Sequence, residues 1–450
     1  MTAARATVAV ACCQDYEPGN VERALKQCLE HLGGVGRWVE EAQPPSTGPP
    51  GSRSQPCSGR PARGSRQAGL PGKRLLLKIS HLGDHPPEEA VIVHPNVTQA
   101  LAELLKQAGA QVTVGDGLDR PGLEGFRRSG TLSAAEDAGV QLTNFKGSPY
   151  PSVPVRGRFL TQVPVAEAVR EADVVVNLAK MKTHVLTLLT GAIKNTYGYL
   201  PEGLRSNLHR TYVSPPDFAQ ALLDVFQTRP PDLNVVDAVV ALEGYGPSRG
   251  GTPKQVGLIV ASEDAVALDA VLGALMGYGA GEVVTTRVAG ERGLGVDDLG
   301  RIDILGPALE EVRPADFALP ERTRRGGRLL AGLPRPLLRI CRGLSQATTA
   351  VPEVVKGACI GCGLCVRHCP TGAAEMRPEE KRARIDRNLC ISCFCCQEFC
   401  ESDAIRLTHR PIGAMVLSTE RVLRALRHGI RFLHRSLRRK PSCPSGATPP

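Results

Sequence analysis

The chain repeats one cysteine spacing near its C-terminal end. The first copy reads Cys359-Ile-Gly-Cys362-Gly-Leu-Cys365-Val-Arg-His-Cys369, and the second reads Cys390-Ile-Ser-Cys393-Phe-Cys-Cys396-Gln-Glu-Phe-Cys400. Three thiolates on a loop this short can hold three corners of an iron-sulfur cube, but the loop cannot reach the fourth iron. Each copy therefore needs a fourth ligand from the other copy.

This doubled spacing is typical of bacterial ferredoxins that bind two [4Fe-4S] clusters. With crossed ligation, one cluster is held by Cys359, Cys362, Cys365 and Cys400. The other cluster is held by Cys390, Cys393, Cys396 and Cys369. The sequence therefore predicts a small ferredoxin-like α+β module that carries single electrons.

Other uses of cysteine fit this spacing less well. A zinc ribbon needs two pairs of cysteines, and a disulfide scaffold gives no reason to repeat the spacing. Glu401 stands where Pro370 stands in the first copy. Because that proline shapes a turn and is not a ligand, we expect a slightly different loop and an intact cluster. Cys395 could replace Cys396 as a ligand only by breaking the spacing, so we interpret it as a surplus residue.

The composition is that of a globular protein. Of the 450 residues, 42% are hydrophobic, which is enough for a large domain and a small module. Every apolar run of membrane-spanning length is interrupted by charge, so we expect no transmembrane segment. The start of the chain lacks a cleavage-site pattern and is interpreted as a first strand. Reduced thiolates belong to a reducing compartment, so the sequence predicts a cytoplasmic protein.

Basic residues are concentrated in two segments. The net formal charge is +10. Residues 321–345 contain seven arginines and one glutamate, and residues 401–450 contain ten Lys and Arg residues against three acidic ones. The first 320 residues are slightly acidic. Basic character therefore belongs to a linker and a tail, and we expect these segments to dock on an acidic redox partner protein.

Strand-like and helix-like patterns alternate over the first 320 residues. Predicted strands cover 74–79, 111–114, 173–178, 233–237 and 257–261, and predicted helices cover 88–108, 216–226 and 265–275. This alternation predicts an α/β domain over 1–320 with a mostly parallel sheet. Residues 43–72 are rich in Pro, Gly, Ser and Arg and are expected to be a disordered insertion.

The remainder of the chain divides into four predicted segments. An Arg-rich linker covers 321–350, and the two-cluster module covers 351–410, with a hairpin formed by 374–376 and 383–386. Leucine and isoleucine recur every three or four residues among arginines in 411–440, which predicts a basic amphipathic helix. Residues 441–450 are expected to be a disordered tail.

Three predicted strand ends are polar or glycine-rich. They are residues 180–184, 237–251 and 262–264. In a parallel sheet, ligands bind beyond the carboxyl ends of the strands. We therefore expect these three segments to converge on one edge of the sheet.

Several stretches of the large domain resemble the prokaryotic family called domain of unknown function 362, which is often fused to a ferredoxin module. They are residues 94–95, 115–116, 177–184, 192–198, 208–209, 217–219, 236–237, 243–247 and 264–269. The likeness extends over about residues 5–305. Lys78-Ile-Ser80 stands where the family would have Lys-Pro-Asn, and 43–72 is an insertion relative to it. The resemblance implies a cleft in an α/β domain but no particular reaction.

The densest group of reactive side chains outside the cysteines lies within this resemblance. It consists of Lys180, Lys182, His184, Lys194, Asn195 and His209. Lysines at a strand end suit a small anionic ligand, a carboxylate or phosphate, and His184, His209 and Lys182 are the candidate catalytic residues. Glu243 is a further candidate ligand-binding residue. The alternative is that the lysines are solvated, the histidines are structural and Glu243 lies in a turn.

These observations favour an iron-sulfur electron-transfer protein with an anionic ligand site in the α/β domain. Such a protein is a candidate oxidoreductase. A second hypothesis is a redox-responsive protein whose basic segments contact nucleic acid or a membrane surface. The tail has a single aromatic residue, Phe432, among its basic residues, which disfavours nucleic acid, while peripheral membrane contact through the C-terminal helix stays open. A third hypothesis is a non-redox enzyme in which the ferredoxin module is a structural element.

Overall fold

The computed structural model describes residues 5–39, 72–83, 85–118, 121–212, 214–248 and 250–320, followed by 351–369, 371–387, 389–390, 393–400 and 402–408. Of the predicted insertion, only residue 72 falls within these ranges. The predicted linker over 321–350, the amphipathic helix over 411–440 and the tail lie outside the described residues.

A nine-stranded sheet forms the centre of the large domain. Its strands are β1 (Ala6–Cys12), β2 (Arg74–Ile79), β3 (Gln111–Asp116), β4 (Gln141–Asn144), β7 (Val174–His184), β8 (Leu188–Thr190), β9 (Leu233–Gly244), β10 (Gly251–Ser262) and β11 (Ile302–Leu305). They lie in the order β11-β1-β10-β9-β7-β2-β3-β4, with β8 beside β7. The short strands β5 (Ser152–Pro154) and β6 (Gln162–Pro164) form a separate antiparallel pair.

Most pairings in the large sheet are parallel. β2 pairs in parallel with both β3 and β7, β3 with β4, β7 with β9, and β1 with β11. Among the described strands of this large sheet, only β10 and β8 are antiparallel to their neighbours. The predicted α/β class with a mostly parallel sheet is confirmed.

Helices cover both faces of this sheet. They are α1 (Pro18–His31), α2 (Gly36–Val39), α3 (Pro95–Gln107), α4 (Thr131–Asp137), α5 (Glu167–Glu171), α6 (Ala192–Asn195), α7 (Glu202–Thr211), α8 (Pro215–Phe226), α9 (Ala265–Met276), α10 (Val284–Glu291) and α11 (Leu309–Val312). Apolar residues of α1 and α3 pack on one face, and those of α8, α9 and α10 pack on the other. Two hydrophobic cores therefore enclose the strands.

Local chemistry sets the ends of α9. The Asp264 carboxylate accepts hydrogen bonds from the backbone N–H groups of Val266 and Ala267. Gly277 ends the helix at φ 97°, a left-handed conformation that glycine adopts without a steric penalty. One of the stretches that carry the family resemblance, 264–269, therefore begins with a helix cap.

Several strand predictions differ from the structure. β3, β7 and β9 continue past their predicted ends to Asp116, His184 and Gly244, and β10 begins at Gly251 instead of residue 257. The register of β7 against β9 shifts between Lys180 and Lys182. β10 is antiparallel to β9, so residues 262–264 lie at the opposite edge of the sheet from residues 180–184. The expectation that all three polar segments converge is therefore wrong.

The C-terminal module contains two antiparallel strand pairs and two short helices. β12 (Val351–Val354) pairs with β15 (Ile405–Thr408), and β13 (Ala374–Arg377) pairs with β14 (Arg382–Ile385). The helices are α12 (Leu364–Arg367) and α13 (Cys395–Glu398). The hairpin expected within this segment is present as β13 and β14. Within the ranges described above, every helix is too short or too polar to cross a lipid bilayer.

Candidate functional site

Four cysteines surround one small cavity of the module. Cys359, Cys362, Cys365 and Cys400 line it together with apolar residues that include Val354, Ala383 and Ile405. Cys365 and Cys400 thus come together although they belong to different copies of the motif. Burial, helped by the neighbouring thiolates, raises the pKa of the Cys365 thiol to about 11.

The other three motif cysteines, Cys369, Cys390 and Cys393, lie near Cys396. Burial raises the pKa of the Cys396 thiol well above its ordinary value, and the nearby thiolates of Cys393, Cys390, Cys365 and Cys369 raise it further. Among the described residues, no set of three or more His, Cys, Asp or Glu closes on a single metal ion. The donors of both groups are cysteine sulfurs, which is the donor set that an iron-sulfur cluster takes, and a metal deprotonates the thiols that ligate it.

Backbone donors support the fourth cysteine of each motif. The Ala374 N–H donates to Cys369 Sγ at 3.3 Å, and the Ala404 N–H donates to Cys400 Sγ at 3.2 Å. Hydrogen bonds to ligand sulfurs stabilise thiolate charge and tune a bound cluster. The matching distances show that the two halves of the module have the same local design.

A second cavity, of about 90 Å³, lies in the α/β domain at the carboxyl ends of β2 and β3. We call it the basic cavity. Four basic side chains line it, against one acidic side chain among the described residues. The polar side chains of the lining are Lys78, Ser80, His81, Asp116, Lys182, Thr190, Lys194, Asn195, Tyr197, Arg205 and His209.

An ion pair forms one wall of the basic cavity. Lys78 Nζ lies 2.9 Å from Asp116 Oδ1, and both side chains are buried. Burial lowers the pKa of Lys78, and the Asp116 carboxylate opposes that shift. Asp116 also accepts hydrogen bonds from the backbone N–H groups of His81 and Gly117. Its two oxygens are thus bonded within the protein.

Several predicted site residues reach this cavity. Lys182, Lys194, Asn195 and His209 all line it. Lys182 Nζ donates to the Val91 carbonyl at 2.8 Å. The Asn195 amide donates to Asn177 Oδ1 at 2.7 Å, so part of its role is structural.

The other predicted site residues lie away from the basic cavity. Lys180 Nζ is buried 2.8 Å from both Asp237 Oδ2 and the Tyr16 hydroxyl. His184 Nδ1 accepts a hydrogen bond from the Leu186 N–H at 3.0 Å. Glu243 accepts one from the Ala318 N–H at 2.7 Å. Each of these three side chains holds a neighbouring segment of the fold.

Seven polar residues of the described lining were not predicted as site residues from the sequence, namely Lys78, Ser80, His81, Asp116, Thr190, Tyr197 and Arg205. Lys78 carried a signal, since it interrupts an otherwise apolar buried strand and His81 follows that strand. Thr190 and Arg205 carried none. They reach the cavity through the short strand β8 and through α7, and neither has a diagnostic spacing.

The cysteine module contacts the wall of the basic cavity. Phe399, which precedes Cys400, is among the lining residues. Its ring stacks on His368, which precedes Cys369, with 3.7 Å between the ring centroids. His368 Nδ1 lies 2.7 Å from Ser206 Oγ, and Nε2 lies 3.1 Å from Glu202 Oε1, both on α7. His368 and Phe399 thus join the module to the α/β domain.

A larger and more open depression of about 660 Å³ lies elsewhere, between the start of β1 and α9. Two of its basic residues are already paired, Arg5 with Asp303 and Arg37 with Glu263. It has no contact with the cysteine module among its lining residues. The smaller basic cavity is therefore the better candidate site.

Comparison with known families agrees with this architecture. Residues 75–273 match the family model described as Domain of unknown function (DUF362), and residues 352–401 match that of a 4Fe-4S dicluster domain. The chain joins these two domains. The predicted resemblance is confirmed, and the C-terminal segment is a 4Fe-4S ferredoxin-type module.

A curated relative extends the comparison. The thylakoid-associated protein sll1697 of Synechocystis sp. is 28% identical over 261 residues, which cover 58% of this chain and 71% of that protein. The name of that protein refers to an association with thylakoids and to no reaction.

Proposed function

We propose that the chain is an electron-transfer protein that binds two [4Fe-4S] clusters and couples them to a small anion in the basic cavity. Bound clusters supply one-electron transfer, while the protein supplies ligation, burial and hydrogen bonds. We assign Cys359, Cys362, Cys365 and Cys400 to one cluster. We assign Cys390, Cys393, Cys396 and Cys369 to the other.

The observation that carries this proposal is the position of Phe399. This residue is adjacent in sequence to a proposed cluster ligand, Cys400, and it lines the basic cavity. The wall of the cavity thus includes a residue covalently next to a proposed ligand, and we expect a charge in the cavity to act on that cluster. Because the surroundings are buried, water screens this interaction less than it screens exposed charges.

The charges of the lining favour an anionic occupant. Lys78, Lys182, Lys194 and Arg205 outweigh the single carboxylate of Asp116, so the described lining has a net formal charge of +3. Lys182 comes from β7 and Lys194 from α6, so the positive groups approach from different elements. Such convergence suits a compact anion.

The proposal is tested by titrating anaerobically purified protein with inorganic phosphate or sulfate while recording the reduction potentials of the clusters. An anion in the cavity should make one potential more negative, because negative charge nearby disfavours an added electron. Lys182→Gln should weaken anion binding by about 10- to 150-fold, since a hydrogen bond to a charged group contributes ~1.5–3 kcal/mol.

His184→Asn is the matched control, because His184 lies outside the cavity and asparagine retains an acceptor for the Leu186 N–H. It should leave anion affinity unchanged. Potentials that do not respond to saturating anion in the unaltered protein would contradict the proposed coupling.

We further propose an acidic redox partner protein and a cytoplasmic location, with the Arg-rich tail as the docking segment. The thylakoid-associated relative supports contact with a membrane surface as a second candidate role of that tail.

Deletion of residues 419–450 should leave the iron content unchanged and slow salt-sensitive electron transfer to an acidic partner. Loss of iron on deletion would mean that the tail supports the module instead.

A further inference from the structure

Three buried polar atoms of the basic cavity have no hydrogen-bond partner among the described residues. They are His81 Nδ1, Thr190 Oγ1 and Arg205 Nε. All three residues line this one cavity. Buried polar atoms in folded proteins almost always have a partner, so the contents of the cavity are expected to supply donors and acceptors.

The hydrogen bonds of His81 fix the state of its ring. His81 Nε2 lies 2.9 Å from Ser129 Oγ, and the Ser129 hydroxyl donates to the Phe126 carbonyl at 2.9 Å. Because that hydroxyl has a single hydrogen, we assign the hydrogen of the ring to Nε2. His81 Nδ1 then presents a lone pair. Burial, helped by the positive charges of His85, Lys78 and Lys182, lowers the pKa of His81 to about 3.

The basic cavity therefore combines cations with neutral polar groups. Arg205 Nε can only donate a hydrogen bond, and the Thr190 hydroxyl can donate or accept. Asp116, the one carboxylate of the described lining, already receives hydrogen bonds at both oxygens. An anion that carries no hydrogen cannot donate to His81 Nδ1, whereas a hydrogen-bearing anion satisfies that buried atom directly, which favours its binding.

We propose that the basic cavity binds inorganic phosphate in its hydrogen-bearing form, and that His81 accepts the hydrogen bond from the phosphate hydroxyl. This inference rests on the proposed anion site and names its occupant. The net charge of +3 suits a dianion better than a single carboxylate, and a volume of about 90 Å³ has room for one small ion together with water.

Phosphate and sulfate form a matched pair of probes. At pH 8 both are tetrahedral dianions, but only HPO₄²⁻ carries a hydrogen. Methyl phosphate at pH 8 is a dianion without one, because the second pKa of such an ester lies near ~6. It distinguishes free phosphate from an esterified source. Affinities are measured by isothermal titration calorimetry on the full-length holoprotein at constant ionic strength.

The unaltered protein should bind phosphate at least about tenfold more tightly than sulfate or methyl phosphate. His81→Leu should reduce phosphate affinity to the level of sulfate and change sulfate affinity little. His81→Asn should retain part of the preference, because the amide oxygen lies near the position of Nδ1. His31→Leu is the control, since His31 Nδ1 is also buried without a partner among the described residues but lies at the larger depression.

Iron content and circular dichroism confirm that each variant is folded. If His81→Leu does not fold, Ser129→Ala removes the group that holds the ring and should also reduce the preference for phosphate. Equal affinities for phosphate and sulfate in the unaltered protein, or a preference that survives His81→Leu, would overturn the role of His81 and leave the anion site standing. Binding of no anion would overturn both.

Discussion

Buried charge at single residues determines what the basic cavity can hold. Lys78 and Lys180 are both buried lysines paired with a carboxylate, Asp116 and Asp237 respectively. The first pair forms a wall of the cavity, whereas the second lies beneath the Tyr16 ring. Two buried lysines that each pair with an aspartate therefore differ in function, because they lie at different positions in the sheet.

Gly198 gives a test of the Lys78–Asp116 pair. A Cβ atom at this position would lie 2.8 Å from Lys78 Nζ and 2.9 Å from Asp116 Oδ1, which is closer than packed atoms approach. Gly198→Ala should therefore separate the ion pair, lower the thermal stability and weaken phosphate binding. Breaking a buried pair typically costs ~3–5 kcal/mol, although lysine can move to reduce that cost.

The control for this substitution is Gly203→Ala, on the exposed face of α7. A Cβ atom there meets nothing within 4 Å. Because alanine favours a helix over glycine by about 0.5–1 kcal/mol, this variant should be as stable as the unaltered protein or slightly more stable. Equal behaviour of the two variants in calorimetry and phosphate titration would contradict the assigned role of Gly198.

At the scale of elements, sequence periodicity predicted the strands that are buried on both faces. β2 has the predicted bounds, and α8 and α9 each lie within one residue of theirs. The same pattern did not reveal the direction of β10, because a buried apolar run reads alike in parallel and antiparallel sheets. Direction follows from chain connection, and β9 and β10 are joined by a short turn.

Asp269 links α6 to α9. Its carboxylate accepts hydrogen bonds from the Ala192 N–H at 2.6 Å and the Ile193 N–H at 3.1 Å, and so holds α6 against α9. Asp269→Asn turns an amide N–H₂ toward one of these donors. It should destabilise the domain by ~1–3 kcal/mol, measured by denaturant unfolding.

Asp303→Asn is the matched control for Asp269→Asn. Asp303 pairs with Arg5 on the surface, and both side chains are about half exposed. Exposed ion pairs contribute little to stability, so the unfolding midpoint should hardly move. A large loss for Asp303→Asn, or none for Asp269→Asn, would contradict this account of how α6 is held.

At the scale of the whole molecule, the contact between the module and the α/β domain was not predictable from the sequence. Spacing indicated the cysteine ligands because each motif is local. His368 stacks on Phe399 and shares a hydrogen bond with Ser206. These residues are far apart in the chain, and their positions follow no sequence period. The location of the basic cavity beside the module is a result of tertiary packing alone.

Substitutions on α7 test that docking without altering the module. Glu202→Ala combined with Ser206→Ala removes the two polar groups of α7 that contact His368. Hydrogen exchange in residues 364–369 and 202–211 should become faster, while the iron content should not change. Thr211→Ala, on the same helix and away from His368, is the control. Unchanged exchange in the double variant would show that the two domains are held by other contacts.

The most direct test of the central claim is the iron and acid-labile sulfide content of anaerobically purified protein, combined with electron paramagnetic resonance of the fully reduced sample. Two [4Fe-4S] clusters predict about eight iron and eight sulfide per chain, and a signal split by coupling between two nearby spins. About four iron, with the signal of a single isolated spin on full reduction, would contradict the two-cluster assignment.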